Sequence, residues 1–238
     1  MLLREGDARD DVVDRWLAAM LAAAAGALNA IAFSVFGFFS ANMTGNVSAL
    51  SIGVATGRIS TAVFYFGIIL AFVLGAALCT LVLAYGGQRG LRGIYALCLA
   101  AEGTGIVLLG LWARAWLPGH VASAVTVVAL AFLLGFQNAI VTRISDARIR
   151  TTHVSGMLTD IGIGVALLAT SRAQWVHKSD SARTRLALHL GTVGAFLAGG
   201  VVGLLGYQVV GAYFISVCGL LLVAIAGPYV LRAGAVSN

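Results

Sequence analysis

Two carboxylates stand where an apolar chain has least use for them. Asp160 sits in Ser155-Gly-Met-Leu-Thr-Asp160-Ile161 and Glu102 in Ala100-Ala-Glu102-Gly103, each inside a hydrophobic run. An ionisable group at membrane depth is costly, and by default it marks ion pairing, proton carriage or a solute path. Candidate partners for Asp160 are His153, two helical turns away, and Arg143, Arg148 or Arg150. Glu102 is expected to face a bundle interior, where it either lines a proton path or caps a broken segment. Both are candidates for proton or ion coupling.

Around these acids lie two dense polar sets. The first is Asn29, then Ser40, Asn42, Thr44, Gly45, Asn46 and Ser48; the second is Gln137 and Asn138, then Thr151, Thr152, His153, Ser155, Gly156 and Thr159. Thr44 and Ser155 are N-cap types beside glycine, so each is expected to start a short helix. Free amides at such a start, together with the helix dipole, attract an anion or the negative end of a polar solute. Asn29 and Asn138 also suit a second task, holding a broken segment by amide hydrogen bonds. His153, Ser155 and Asp160 contain the residue types of a hydrolytic triad without a convincing spacing. No zincin, nucleophile-elbow or phosphate-loop pattern occurs, and no His/Cys/Asp/Glu group has metal-ligand spacing. No catalytic residue, metal or cofactor is therefore assigned.

The two polar sets belong to an internal repeat. Gly26-Ala-Leu-Asn29-Ala-Ile31 returns as Gly135-Phe-Gln-Asn138-Ala-Ile140, an offset of 109. Asn42-Met-Thr-Gly45 returns as His153-Val-Ser-Gly156, and Ile52-Gly-Val-Ala55 as Ile163-Gly-Val-Ala166, both at 111. Gly67, Ala71, Phe72 and Gly75 return as Gly191, Ala195, Phe196 and Gly199. Asp160 corresponds to Ala49, so the repeated scaffold does not require the acid. Small residues four apart in both copies predict close helix crossings.

What must position these residues is a bundle of membrane helices. Hydrophobic residues make up 60% of the 238 and charged ones 10%, with mean hydropathy +0.98, outside the range of soluble domains. The apolar runs are continuous rather than alternating, which excludes a barrel. Six are long enough to cross: roughly 16–39, 60–85, 93–116, 120–141, 186–207 and 209–231. Two shorter pieces, near 44–56 and 155–170, fall short of a bilayer core of about 30 Å or only just reach it. If all eight cross, the 15 Lys and Arg divide 10 against 5; if the short pieces dip in and return, they divide 13 against 2. The bias of basic residues toward the cytoplasmic side favours the second arrangement. Each copy then has three crossings and one re-entrant half-helix, and an odd number of crossings inverts the copies. The alternative is eight crossings.

The expected layout is an all-α polytopic membrane protein. Residues 1–15 form a solvated cytoplasmic N-terminal segment, with a helix there as an open alternative, 16–118 the first membrane repeat and 119–238 the second, with both termini cytoplasmic. Residues 1–15 mix acids with arginines and do not read as a secretory signal. Residues 171–185 form the longest polar connection. Cys79, Cys98 and Cys218 fall inside spans and are read as small packing residues. The net charge of +6 flanks apolar runs, and no basic stripe with interleaved aromatics suggests nucleic acid.

Two long motifs resemble a known family. Phe39-x-Ala41-Asn42-Met43-Thr44-Gly45-Asn46 is one. The other is Gly135-x-Gln137-Asn138-Ala139, followed by Arg150-Thr-Thr-His153-Val-Ser155-Gly-x-Leu158-Thr159-Asp160. Together they resemble the signature of the YoaK-like bacterial membrane proteins, over essentially the whole chain. The resemblance implies a multi-pass protein of the bacterial cytoplasmic membrane, of a kind labelled as transporter or permease, with no substrate assigned. Ser155 departs from the threonine of many relatives but keeps the hydroxyl.

The expected function is passive or secondary transport of a small polar or anionic solute between the two inverted repeats. Asn29, Asn42, Thr44, Gly45, Asn46, Gln137, Asn138, Thr152, His153, Ser155, Gly156 and Thr159 would line or shape the path, with Asp160 and Glu102 for coupling. The partners are the lipid bilayer, the solute and, as an open alternative, further copies of the chain. A non-transporting membrane scaffold or assembly factor is the rival reading, and a membrane-embedded enzyme the third.

Overall fold

The computed structural model describes residues 11–91, 93–116, 119–169 and 176–235, and among these the regular structure is entirely helical. The helices are α1 (Asp11–Phe36), α2 (Met43–Ala55), α3 (Ile59–Gln88), α4 (Ile94–Trp116), α5 (His120–Ile144), α6 (Val154–Ala169), α7 (Val176–Val210) and α8 (Tyr213–Ala235). Six are long and apolar enough to cross a membrane, while α2 and α6 are the shorter apolar pieces. The chain has the build of a multi-pass membrane protein. Its outward faces agree, since Val63, Phe66, Leu70, Val73 and Leu81 of α3 are exposed in a way that a soluble monomer avoids.

The pairing of helices repeats as the sequence does. α1 packs most extensively on α7, the counterpart of α3, and α3 on α5, the counterpart of α1; α4 pairs with α8, α2 with α3 and α6 with α7. The contacts fix the directions. α1 and α7 run parallel, with Ala23 against Gly199 and Ala27 against Gly203; α4 and α8 run antiparallel, with Gly103 against Gly219 and Gly110 against Ser216. α3 and α5 run parallel, because Phe64 borders the cleft at His120 and Ser123 while Gly75 meets Phe132 and Phe136 further along both helices. The hairpins at Gly86–Ile94 and Gly206–Phe214 supply the remaining signs. Each helix of the first copy therefore points opposite to its counterpart, which makes the repeat inverted.

Glycine allows the closest crossings. A Cβ on Gly26 would collide with the Phe196 carbonyl, and one on Gly135 with the equivalent Phe72 carbonyl. Gly75 meets the Phe132 carbonyl and Gly199 that of Ala23, again equivalent places. Backbones approaching this closely gain dispersion where lipid supplies no hydrophobic drive. A Cβ on Gly67 or Gly191, expected in the same stripes, would meet no other element within 4 Å among the described residues.

Two boundaries differ from the sequence reading. α1 ends at Phe36, not near 39, because Gly37 turns out of the helix at φ +81. α1 begins at Asp11, so the last part of segment 1–15 takes the helical alternative; residues 1–10 lie outside the described residues. The expected connection 171–185 is shorter, since from Val176 onward it is the first turns of α7, while 170–175 lie outside the described residues. Its polar composition hid a helix that extends beyond the apolar span.

Candidate functional site

Both breaks are tied by the same device. After α1 the chain folds back until the Ala41 amide donates to Asn29 Oδ1 at 2.8 Å. After α5 it folds back until Thr152 Oγ1 donates to Asn138 Oδ1 at 2.9 Å. Ala41 and Thr152 are equivalent at the offset of 111. The two asparagines therefore hold the same point of each returning loop, one through backbone and one through a side chain. Asn138 Nδ2 is spent on the Leu134 carbonyl at 2.8 Å.

From those points α2 and α6 run back toward the side from which the loop entered. Met43 packs in the cluster of Ile68 and Ala71 in mid-α3, and Gly53 lies against Ala62 near its start. Gly164 meets Leu186 in the same way on α7. The cap of α2 is Asn42 rather than Thr44, its side chain accepting from the Gly45 amide at 3.1 Å. α6 begins at Val154, which puts Ser155 inside the helix and His153 in the position of Asn42. In both copies the cap side chain lies across the first turn. A Cβ on Gly45 would sit 2.7 Å from Asn42 Nδ2, and one on Gly156 would sit 2.6 Å from His153 Nδ1. The repeated glycine at the third helical position makes room for that side chain.

The other named residues fall into two groups. Asn46 is fully buried and donates through Nδ2 to the Phe39 carbonyl at 2.9 Å. Gln137, also fully buried, donates through Nε2 to the Leu21 carbonyl at 3.3 Å and joins α5 to α1. Glu102 is buried on α4 next to the Gly103–Gly219 crossing, and neither of its oxygens has a partner among the described residues. Thr44, Ser155 and Thr159 are exposed on the half-helices; the Thr44 carbonyl accepts from Ser48 Oγ and the Ser155 carbonyl from Thr159 Oγ1. Hydroxyls bonded back to the preceding turn are quiet in either lipid or water.

Each break opens on a cleft, and the clefts lie at opposite ends of α5. One, of about 540 Å³, is bordered by Phe36, Phe38, Phe64, His120 and Ser123. The other, of about 570 Å³, is bordered by Arg148, Ile149, Arg150, His153, Gly156, Asp160, Arg185, Leu188 and His189, among others. Phe38 corresponds to Ile149 and Phe64 to Leu188, so the clefts are equivalents under the repeat. Of the residues proposed for a path, His153, Gly156 and Asp160 border the second cleft; the rest, and Glu102, border neither.

Asp160 is exposed and pairs with His189 Nδ1 at 3.5 Å. His189 is not among the partners that the sequence offered for Asp160, which were His153, Arg143, Arg148 and Arg150. The signal available was its place one turn into the apolar part of α7, level with the half-helix that pairs with it. His153 instead meets Arg150, with 3.3 Å from Nδ1 to the guanidinium. No hydrogen bond among the described residues joins His153, Ser155 and Asp160 to one another, and no group of three His, Cys, Asp or Glu is placed to hold a metal.

One more equivalence went unweighted in the sequence. Ser40 and Thr151, again 111 apart, are both fully buried, and neither hydroxyl has a partner among the described residues. A buried hydroxyl without a partner is uncommon, and two at the same place in two copies are a shared property.

A family model matches residues 17–227, which is nearly the whole chain and takes in both breaks. The chain belongs to the family described as protein of unknown function (DUF1275). No curated protein and no solved structure matches it. For a DUF1275 chain, the argument for function therefore rests on the breaks and their clefts.

Proposed function

We propose that this protein is a transporter or channel of the bacterial cytoplasmic membrane, moving a small polar or anionic solute between its two inverted repeats. The YoaK-like resemblance implies only the class, a membrane protein labelled as transporter or permease, and no solute. The observation that carries it is the pair of equivalent clefts at opposite ends of the bundle, each at the foot of a broken helix. Inverted repeats with discontinuous helices suit alternating access, because exchanging the conformations of the two copies exchanges which end is open. Irregular backbone at this depth is tolerated where protein buries it or where it lines a wet cavity. Ser40, Thr151, Asn46, Gln137 and Glu102 each leave a buried polar atom without a partner among the described residues, available to water or solute as the copies move. Asp160 with His189, and Glu102, are the groups that would carry a coupling proton.

A scaffold or assembly role is the second reading. What favours it is that Asn29, Asn42 and Asn138 are spent on holding the breaks and border neither cleft. Flux separates the two. Purified protein in proteoliposomes, given a panel of small neutral, anionic and cationic solutes, should pass at least one. Asp160→Asn should lower that flux with the protein still folded. Zero flux across the panel sinks the transport reading.

A further inference from the structure

The two clefts are built alike and charged differently. Among the described residues, the cleft at Phe38 is bordered by no Lys or Arg, whereas Arg148, Arg150 and Arg185 border the other, against the single carboxylate of Asp160. The aromatic-to-basic exchange is direct, since Arg150 stands at the repeat position of Phe39. Arg148 is partly spent, donating Nε to the Ser145 carbonyl at 3.3 Å. Arg185 is exposed on α7 with no ion pair among the described residues. A guanidinium can only donate, so the Arg150 contact makes His153 Nδ1 the acceptor and leaves Nε2–H as a further donor. A volume of about 570 Å³ holds a small solute together with several of its waters.

We propose that this cleft is an oxyanion site, taking a phosphate- or carboxylate-bearing group between Arg150 of the returning loop and Arg185 of α7. Guanidinium forks match the planar oxygens of such groups and bind them by charge-assisted hydrogen bonds. His153 supplies a donor from the third side. Asp160 sets the upper limit on affinity, because its charge opposes the ligand's, and its pairing with His189 partly offsets that repulsion. The site takes the mouth of the proposed path as its pocket and so rests on that reading. The group arrives either as a free anion or as the headgroup of an anionic lipid.

The test is calorimetric titration of the full-length protein in phosphatidylcholine nanodiscs with inorganic phosphate and with acetate, using tetramethylammonium as the cation control. The anions should bind and the cation should not. Arg150→Gln and Arg185→Gln should each weaken binding about tenfold, and Asp160→Asn should tighten it about threefold. Arg185 makes no ion pair among the described residues, so Arg185→Gln carries the test alone if Arg150→Gln fails to fold. Repeating the titration with phosphatidylglycerol in the nanodisc identifies the source: loss of phosphate binding there assigns the site to a lipid headgroup, and unchanged binding assigns it to a free anion. Absence of anion binding in phosphatidylcholine overturns the site, as do native affinity in both arginine variants or weakening by Asp160→Asn. Binding without flux would sink the transport reading and leave the site standing. Flux of a neutral solute without anion binding would do the reverse.

Discussion

The first break is aromatic and the second is basic, although one backbone plan builds both. At the first, Phe33 stacks on Phe39 with centroids 4.1 Å apart, and Phe38 meets Phe64 and Tyr65 edge-on. At the second, the repeat positions of Phe38, Phe39 and Tyr65 are Ile149, Arg150 and His189. The offset grows from 109 to 111 within this break, so the second loop is two residues longer than the first. It also places Asp146 and Ala147 at φ 48 and 60, a conformation unfavourable for residues with a Cβ. What the copies share, they share for holding: an asparagine in α1 or α5 that ties the returning loop, a cap over a glycine, a glycine at each crossing. What they do not share is chemistry at the mouth. The comparison separates scaffold from site without any alignment of relatives.

The largest expected effect tests whether the crossings are equivalent. Gly26→Ala and Gly135→Ala each push a Cβ into a backbone carbonyl and should cost about 3 kcal/mol or more. Thermal melting in detergent should show losses of similar size; a tolerated change at either one breaks the equivalence. Next come the loop ties. Asn29→Ala leaves the buried Ala41 amide unpaired and should cost about 2 kcal/mol, while Asn138→Ala frees a Thr152 hydroxyl that can rotate to another partner and should cost about 1 kcal/mol. Equal losses would show that the two ties do not differ as their donors do. Asn42→Ala removes one cap bond and should cost about 1 kcal/mol of stability. The smallest effect on stability is the most informative for function. Ser40→Ala with Thr151→Val removes hydroxyls that have no partner among the described residues, so the melting point should stay or rise while flux falls. Unchanged flux in the double variant would remove these hydroxyls from the path.

The scaffold was readable because repeats, helix length and glycine spacing are local quantities. The offset of 109 alone pairs Gly26 with Gly135 and Asn29 with Asn138, and their contacts are equivalent. The site was less readable. His189 stands 29 residues from Asp160 on another helix, so no local spacing joins them. Arg185 lay in a stretch whose polar composition reads as a loop, and it belongs to the cleft only because α7 extends through that stretch. Thr44 and Ser155 have good cap chemistry, yet the loops place Asn42 and His153 at the helix starts. Cap type does not fix register when two suitable residues stand two apart.

Inversion of the copies is the claim on which the opposed clefts depend. It can be read by attaching a membrane-impermeant thiol reagent to Arg58→Cys, at the α2–α3 turn, and to Ala169→Cys, at the end of α6, in sealed and in opened vesicles. Both positions are exposed, and the native cysteines 79, 98 and 218 are buried. The inverted arrangement predicts that the two sites label from opposite sides of the membrane. Labelling of both from the same side would mean that the copies run in the same direction, and the account of two mouths on one path would be wrong.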